Sequence, residues 1–234
     1  MKTILTFLFL GVIFTATSVA QDDLLSLLGP EEETTEYIEA SFKTNRVVNL
    51  HSLENTAAGV LDFKISHRFG FLSGGFYEFF GLDNATMRLG FDYGITNRLA
   101  IGVGRSNLEK AYDGYIKYKL LRQSKGKKNM PLTVALFASA AIQTLKWAEP
   151  ERDNLFSSRL YYTFQVIMGR KFSERISVQL SPTVVHRNLV ATKEEKNDVY
   201  GMGVGARFKL TNRIAINGEY TFVLPNQLAD GYNN

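Results

Sequence analysis

The strongest constraint on this chain is a two-residue alternation of apolar and polar side chains that recurs over most of its length. Within residues 60–69, Leu61 and Phe63 share one parity, whereas Asp62 and Lys64 share the other. Because successive side chains of a β-strand point to opposite faces, this alternation predicts strands with one apolar and one polar face. The split recurs in nine predicted strands, at 60–69, 85–95, 98–106, 111–121, 131–143, 158–170, 175–187, 198–209 and 213–223.

The length and the two faces of these strands indicate a membrane-embedded sheet. They run roughly 9 to 13 residues, whereas a tilted strand crosses a bilayer in about 9 to 11 and strands of soluble proteins usually have about five or six. We therefore expect an all-β fold, an antiparallel up-and-down transmembrane β-barrel. The alternative is a soluble periplasmic β-barrel that turns its apolar side chains inward around a lipophilic ligand. Aromatic residues near strand ends, where a membrane interface would lie, favour the first: Phe91, Tyr93, Phe172, Phe208, Tyr220 and Phe222.

A similar phrase appears three times between predicted strands: YGITNRLAIGV at 93–103, RKFSERISVQL at 170–180 and FKLTNRIAING at 208–218. We interpret each polar Thr-Asn-Arg or Ser-Glu-Arg step as a tight hairpin turn. Most of the intervening connections are longer, and short turns on one rim with long loops on the other are typical of an outer-membrane barrel. Residues 122–129 are long for the turn rim, and residues 106–110 are short for the loop rim.

The N-terminal part of the chain differs from the strand region. Residues 1–20 have a basic start, an apolar run and small residues before position 21, which predicts a cleaved secretory signal peptide. Residues 21–43 are rich in acidic side chains and predict a flexible leader, with a docking peptide or a barrel plug as the alternative. The β-barrel domain is predicted to occupy residues 44–234.

The composition limits the kinds of ligand and reaction that this chain could support. The chain has no cysteine, which excludes disulfides and thiolate metal sites, and its net charge of +4 is not concentrated into a basic stripe that would indicate nucleic acid. The three histidines, His51, His67 and His186, are too scattered for a recognisable metal site. A lipid hydrolase would need a serine beside a histidine, but Ser177 and Ser181 have the opposite strand parity to His186. We expect no enzyme activity, no cofactor and no metal.

The polar face of the predicted barrel supplies the candidate site. These side chains either fill the interior as a salt-bridged network or line a narrow conduit for a small solute. The candidate lumen-lining residues are Arg88, Asp92, Asp113, Lys117, Lys119, Gln165, Gln179, Arg207, Asn217 and Glu219.

Several runs also resemble a known family: GVLDFKISHRFG, FFGLDNATMRLGFDYGITNRLAIGVGRS, YDGYIKYKLLRQ, LFASAAIQTLKW and PTVVHRNLV. They are similar to an uncharacterised β-barrel family, a domain of unknown function, from the outer membranes of Gram-negative bacteria. The resemblance extends from about residue 40 to the last residue and implies a barrel in the outer membrane, without an established ligand or activity. Family members continue with further strand sequence, which implies about ten strands in the complete protein and a C-terminal truncation after Asn234.

Together these features predict an exported, non-enzymatic outer-membrane β-barrel surrounded by lipid. Its role is expected to be structural, porin-like transport of a small solute, or binding at the cell surface.

Overall fold

The computed structural model describes residues 34–190, 192–193 and 195–227. The predicted signal peptide at 1–20 and most of the predicted leader at 21–43 lie outside the described residues. Within the described residues, no helix is both long enough and apolar enough to cross a membrane.

One antiparallel sheet of nine strands dominates the fold. The strands are β2 (Leu61–Arg68), β3 (Thr86–Gly94), β4 (Leu99–Ser106), β5 (Tyr112–Leu121), β7 (Thr133–Ile142), β8 (Leu160–Lys171), β9 (Ile176–Arg187), β10 (Asp198–Lys209) and β11 (Ala215–Val223). All nine predicted strands are confirmed, with ends displaced by at most two residues. Alternation located them well because most of them have an apolar outer face and an inner face of polar or small residues.

Several smaller elements lie in the connections and beside this sheet. A separate two-stranded sheet pairs β1 (Thr35–Tyr37) with β6 (Ser124–Gly126), which belongs to the long connection between β5 and β7. Short 3-10 helices occur in the connections at Leu72–Gly74 and Phe156–Arg159, and turns interrupted by residues of positive φ occur at Phe79–Asn84 and Leu108–Lys110.

The topology is up-and-down. Each strand of the large sheet pairs antiparallel with the strand before and after it, in the order β11-β10-β9-β8-β7-β5-β4-β3-β2. The edge strands β2 and β11 are not paired with each other in the described part of the chain, so the wall has a seam between them. One rim carries the turns after β3, β8 and β10 and is called the turn rim; the opposite one is the loop rim.

The two faces of the sheet are oriented as a membrane barrel requires. On the outer face Leu89, Phe164 and Val204 are 39%, 54% and 37% exposed, whereas Asp92 and Lys117 on the inner face are 1% and 0% exposed. A soluble barrel has the reverse arrangement, because water would then contact the outer face. The sheet therefore presents apolar side chains outward and encloses its charges.

The three repeated phrases form the same turn. In each, the hydroxyl of the first residue of the polar step accepts two backbone N–H groups, at distances of 2.9 to 3.2 Å. The accepting residues are Thr96, Ser173 and Thr211. The hairpin-turn interpretation is confirmed, and the repeat reflects this shared hydroxyl acceptor.

Replacing that hydroxyl should destabilise the barrel. Thr96 Oγ1 accepts from the backbone nitrogens of Arg98 and Leu99, so Thr96→Val should lower the free energy of unfolding by about 0.5–2 kcal/mol. Urea unfolding of the detergent-folded protein measures this difference. Thr96→Ser keeps the acceptor and should stay close to the wild type; equal losses in both variants would contradict the assigned role.

Candidate functional site: the lumen and the hairpin inside it

Residues 41–58, here called the lumenal hairpin, enter the space enclosed by the sheet and return. Around the tip, the Val47 nitrogen donates to the Leu50 carbonyl at 2.9 Å and the Ser52 nitrogen to the Asn45 carbonyl at 3.0 Å. The hairpin returns to the turn rim, where the Gly59 nitrogen donates to the Gly94 carbonyl at 2.7 Å. The chain then continues into β2.

The hairpin contacts both edge strands of the sheet. On β11, the Glu219 carboxylate accepts the backbone N–H groups of Val48, Asn49 and Leu50 at 2.8 to 3.1 Å. On β2, Arg68 Nε donates to Asn49 Oδ1 at 3.2 Å. Nine strands laid flat would separate the two edges by about 38 Å. The sheet therefore curls around the hairpin, and the hairpin tip bridges the seam.

A buried carboxylate holds one side of the hairpin. Asp92 Oδ2, on β3, accepts hydrogen bonds from Asn45 Nδ2 and Lys64 Nζ, both at 2.8 Å. Lys64 also donates to Asn45 Oδ1. Two wall charges and one hairpin amide thus bind one another around Asp92 Oδ2, on a carboxylate that is almost completely buried.

Lys117, on β5, binds the second arm of the hairpin, at Ser52 and Glu54. Its side chain is fully buried, and Nζ donates to the backbone carbonyl oxygens of Ser52, at 3.2 Å, and Glu54. On the same strand of the sheet, Lys119 Nζ lies 3.3 Å from Glu54 Oε2. A buried amino group without these acceptors would be destabilising, so the hairpin and the wall depend on each other.

Two aromatic side chains and one amide side chain of the wall contact the middle of the hairpin, at His51. The His51 ring packs on Tyr115 and Phe137, with centroids 4.6 and 4.1 Å apart. Gln179 Nε2, on β9, donates to the His51 carbonyl at 2.8 Å.

Glycines on the inner wall make room for the hairpin. A Cβ on Gly94 would lie 2.1 Å from the Ala57 carbonyl oxygen, and one on Gly205 would lie 3.0 Å from Val47 Cγ2. The hairpin backbone at the turn rim can approach the wall only because position 94 has no side chain.

The structure places nine of the ten candidate lumen residues at partly or fully buried positions. Asp92, Lys117, Lys119, Gln179 and Glu219 contact the hairpin through the bonds described above. Others pair along the wall: Arg88 Nε donates to Asp113 Oδ1 at 2.8 Å, and Gln165 Nε2 donates to Thr183 Oγ1 at 2.9 Å. Arg207 is buried on β10, whereas Asn217 on the edge strand β11 is exposed.

Sequence reasoning missed the residues that reach the wall from the hairpin. Asn45, Ser52 and Glu54 lie before the first alternating segment, and His51 stood out only as one of three scattered histidines. A weak signal was the composition of the inner wall, since unmatched charges and glycines facing inward imply a polar occupant.

Cavities flank the hairpin toward each rim in the described part of the chain. The cavity on the turn rim has a volume of about 510 Å³ and is lined by Glu54, Asn97, Lys119 and Arg122 among others. The cavity toward the loop rim has a volume of about 140 Å³, with Arg68 and Arg88 in its lining. In the described residues, no group of three or more His, Cys, Asp or Glu side chains could hold a metal ion. The hairpin thus lies between a larger cavity on the turn rim and a smaller one toward the loop rim.

His51 belongs to the lumenal hairpin, not to a spanning strand, and its environment disfavours protonation. Burial is the main cause that lowers the pKa of His51 well below its ordinary value, and nearby cations lower it further. These cations are Arg46, Lys117, Arg88 and Lys64. The imidazole is therefore neutral at pH 7.

Acid should destabilise the folded protein through His51. Below the ordinary histidine pKa of about 6.5 the unfolded chain binds a proton there that the folded chain does not, so stability falls as pH decreases through that value. Urea midpoints at pH 7 and pH 5 measure the loss. His51→Phe keeps a ring against Tyr115 and Phe137 and removes the proton site, so its loss should be smaller; an identical loss would refute the assignment.

Removing the Glu219 carboxylate should free the hairpin tip. Because the chain has no cysteine, Ser52→Cys provides a single buried thiol whose reaction with a maleimide reports hairpin release. We expect Glu219→Ala to increase the labelling rate at least about tenfold. That factor corresponds to a decrease of about 1.4 kcal/mol in the free energy of releasing the hairpin. Glu174→Ala, in an exposed turn, is the matched control and should leave the rate unchanged. Equal rates in the two variants would show that Glu219 does not hold the tip.

The fold agrees with the comparison with known protein families. A search of curated proteins and a search of solved structures each found no match. The family model described as "Membrane bound beta barrel domain (DUF5777)" matches residues 42–234, which include nearly the whole lumenal hairpin and all nine strands of the sheet. The chain therefore belongs to this family of membrane-bound β-barrel domains.

Proposed function

We propose that this protein is a non-enzymatic barrel of the outer membrane that serves as a gated conduit for a small polar solute. The observation that supports this most directly is the lumenal hairpin, which separates a cavity of about 510 Å³ on the turn rim from one of about 140 Å³ toward the loop rim. In the closed state the hairpin blocks passage. Its release would join the two cavities.

The chemistry of the inner wall favours a conduit over a permanently filled interior. A barrel that only needs filling is packed at lower energetic cost by apolar side chains, because buried charges must be desolvated. Here Asp92, Lys117 and Arg207 are buried on the wall, and several buried polar atoms have no partner in the described residues, including Arg207 Nε and Gln179 Oε1. Such groups are better satisfied when water or a polar solute enters the lumen.

The outer membrane is the location that the remaining features support. The sequence of residues 1–20 has the pattern of a cleaved signal peptide, and strands with apolar outer faces fit the bacterial outer membrane, where such barrels are found. Lipid is then the partner of the outer face, and the small solute is the partner of the lumen. Neither a cofactor nor a nucleic acid is required for this role.

Planar bilayer recordings test the proposal. We expect the wild-type protein to be silent for most of the recording, because the hairpin blocks the lumen. A variant in which residues 44–55 are replaced by a short Gly-Ser linker should show steady, discrete conductance. Glu219→Ala should lie between the two, with more frequent openings, and Glu174→Ala should behave as the wild type.

Two outcomes would refute the proposal, provided that each variant shows the heat-modifiable gel migration of a folded barrel. Steady conductance in the wild type would mean that the hairpin does not close the lumen. Silence in the linker variant would mean that the wall side chains fill the lumen without the hairpin, which leaves no conduit to gate.

A further inference from the structure

The connection between β2 and β3 is the most apolar exposed segment of the described chain. It carries eight exposed large apolar residues: Phe69, Phe71, Leu72, Phe76, Tyr77, Phe79, Phe80 and Leu82. Phe71, Phe76 and Tyr77 are 85%, 79% and 95% exposed. Residues 69–85 contain only two charged side chains, Glu78 and Asp83. A surface of this kind facing water marks a contact with lipid or protein.

The strands around this loop are short for a bilayer, since β2 and β4 fall just below the usual minimum length and β3 only reaches it. β2, β3 and β4 contain 8, 9 and 8 residues, whereas β8, β9 and β10 contain 12 each. A tilted strand needs about 9 to 11 residues to cross the hydrocarbon region. On this side of the barrel the apolar band therefore ends early, at the point where the apolar loop begins.

The loop continues the lipid-facing surface of β2 beyond His67, which is exposed on the same face. Phe69 and Phe71 have the same parity as Leu61, Phe63 and Ile65, which are the exposed outer residues of β2. Phe71 keeps an extended backbone, with φ −72° and ψ 141°. Since the outer face of β2 contacts lipid in a membrane-bound barrel, these two side chains extend the same contact toward the loop rim.

The loop is held in one shape by its own backbone. The Gly70 nitrogen donates to the Gly81 carbonyl at 2.8 Å, and a Cβ on Gly81 would lie 2.4 Å from the Gly70 carbonyl oxygen, so the base of the loop closes tightly. Phe79 and Phe80 both have positive φ, at 44° and 55°. Bulky residues rarely adopt that conformation, and here it is maintained while both rings remain about half exposed.

We propose that residues 69–82 form a lipid-inserted loop, whose aromatic side chains occupy the boundary between headgroups and acyl chains beside the shortened strands. Phe71, Phe76 and Tyr77 lie among the lipids. The Tyr77 phenol and the phenylalanine rings suit that boundary, where aromatic residues with an apolar body and a polar tip concentrate. The loop thereby restores the height of the apolar band around β2 to β4.

Tryptophan fluorescence in vesicles tests this placement independently of transport. In a Trp147→Phe background the chain has no other tryptophan, so Tyr77→Trp reports on the loop alone. Each variant is reconstituted into dioleoylphosphatidylcholine vesicles with and without lipids brominated on the upper part of their acyl chains. We expect the emission of the Tyr77→Trp variant to fall at least about twofold with brominated lipid and to be blue-shifted, as for an interfacial indole.

Two matched variants make the result decisive. Phe91→Trp, on the outer face of β3, should be quenched as a lipid-facing reference, and Asp153→Trp, in the charged loop between β7 and β8 on the same rim, should not be quenched. Phe76→Trp repeats the measurement at a second loop position should Tyr77→Trp fail to fold. Quenching of Phe91→Trp without quenching at either loop position overturns the proposal. Such a result would assign the apolar loop to a protein contact or to water.

Discussion

A curled sheet with an apolar outer face must pair its inward polar groups without bulk water, and the lumenal hairpin supplies partners for Asp92 and Lys117 in particular. Asp92 and Lys117 face the interior from neighbouring parts of the wall, and both are almost completely buried. Each is paired through the hairpin: the carboxylate with Asn45, and the amino group with the carbonyls of Ser52 and Glu54. The polar inner wall and the inserted hairpin are therefore one structural unit.

The dependence of the wall on the lumenal hairpin is clearest at the seam between β2 and β11. Edge strands present unpaired backbone groups, which proteins usually pair, cover or surround with charge. Here a charged residue of each edge strand, Arg68 and Glu219, reaches the same hairpin tip. The tip thus fixes the relative position of two strands that make no backbone ladder with each other in the described chain.

Alternation in the sequence was sufficient to predict the sheet but not its contents. The nine strands were predictable because apolar residues alternate with polar or small ones along most of them, which is a local property. The turns were predictable for a similar reason, since Thr96 and Thr211 bind backbone groups two and three residues away. Both predictions depend only on neighbouring residues.

The hairpin was not predictable in the same way, because its contacts join distant parts of the chain. Asn45 and Asp92 are 47 residues apart, and Val48 and Glu219 are 171 apart. No periodic pattern encodes such pairs, and the hairpin has little strand alternation of its own. Parity indicated which side chains face inward, for example Gln179 and Arg207, but parity alone does not distinguish an empty lumen from an occupied one.

The nature of the hairpin's contacts bears on whether it can move. The buried apolar cluster around it is small, with only Phe42, Val47 and Leu53 contributed by the hairpin. Most of its attachment consists of hydrogen bonds and ion pairs, and in a wet lumen these can be exchanged for bonds to water at a small net difference in free energy. An apolar plug would lose its transfer free energy in full on entering water. A plug held by polar bonds is consequently the kind that can be displaced without unfolding the wall.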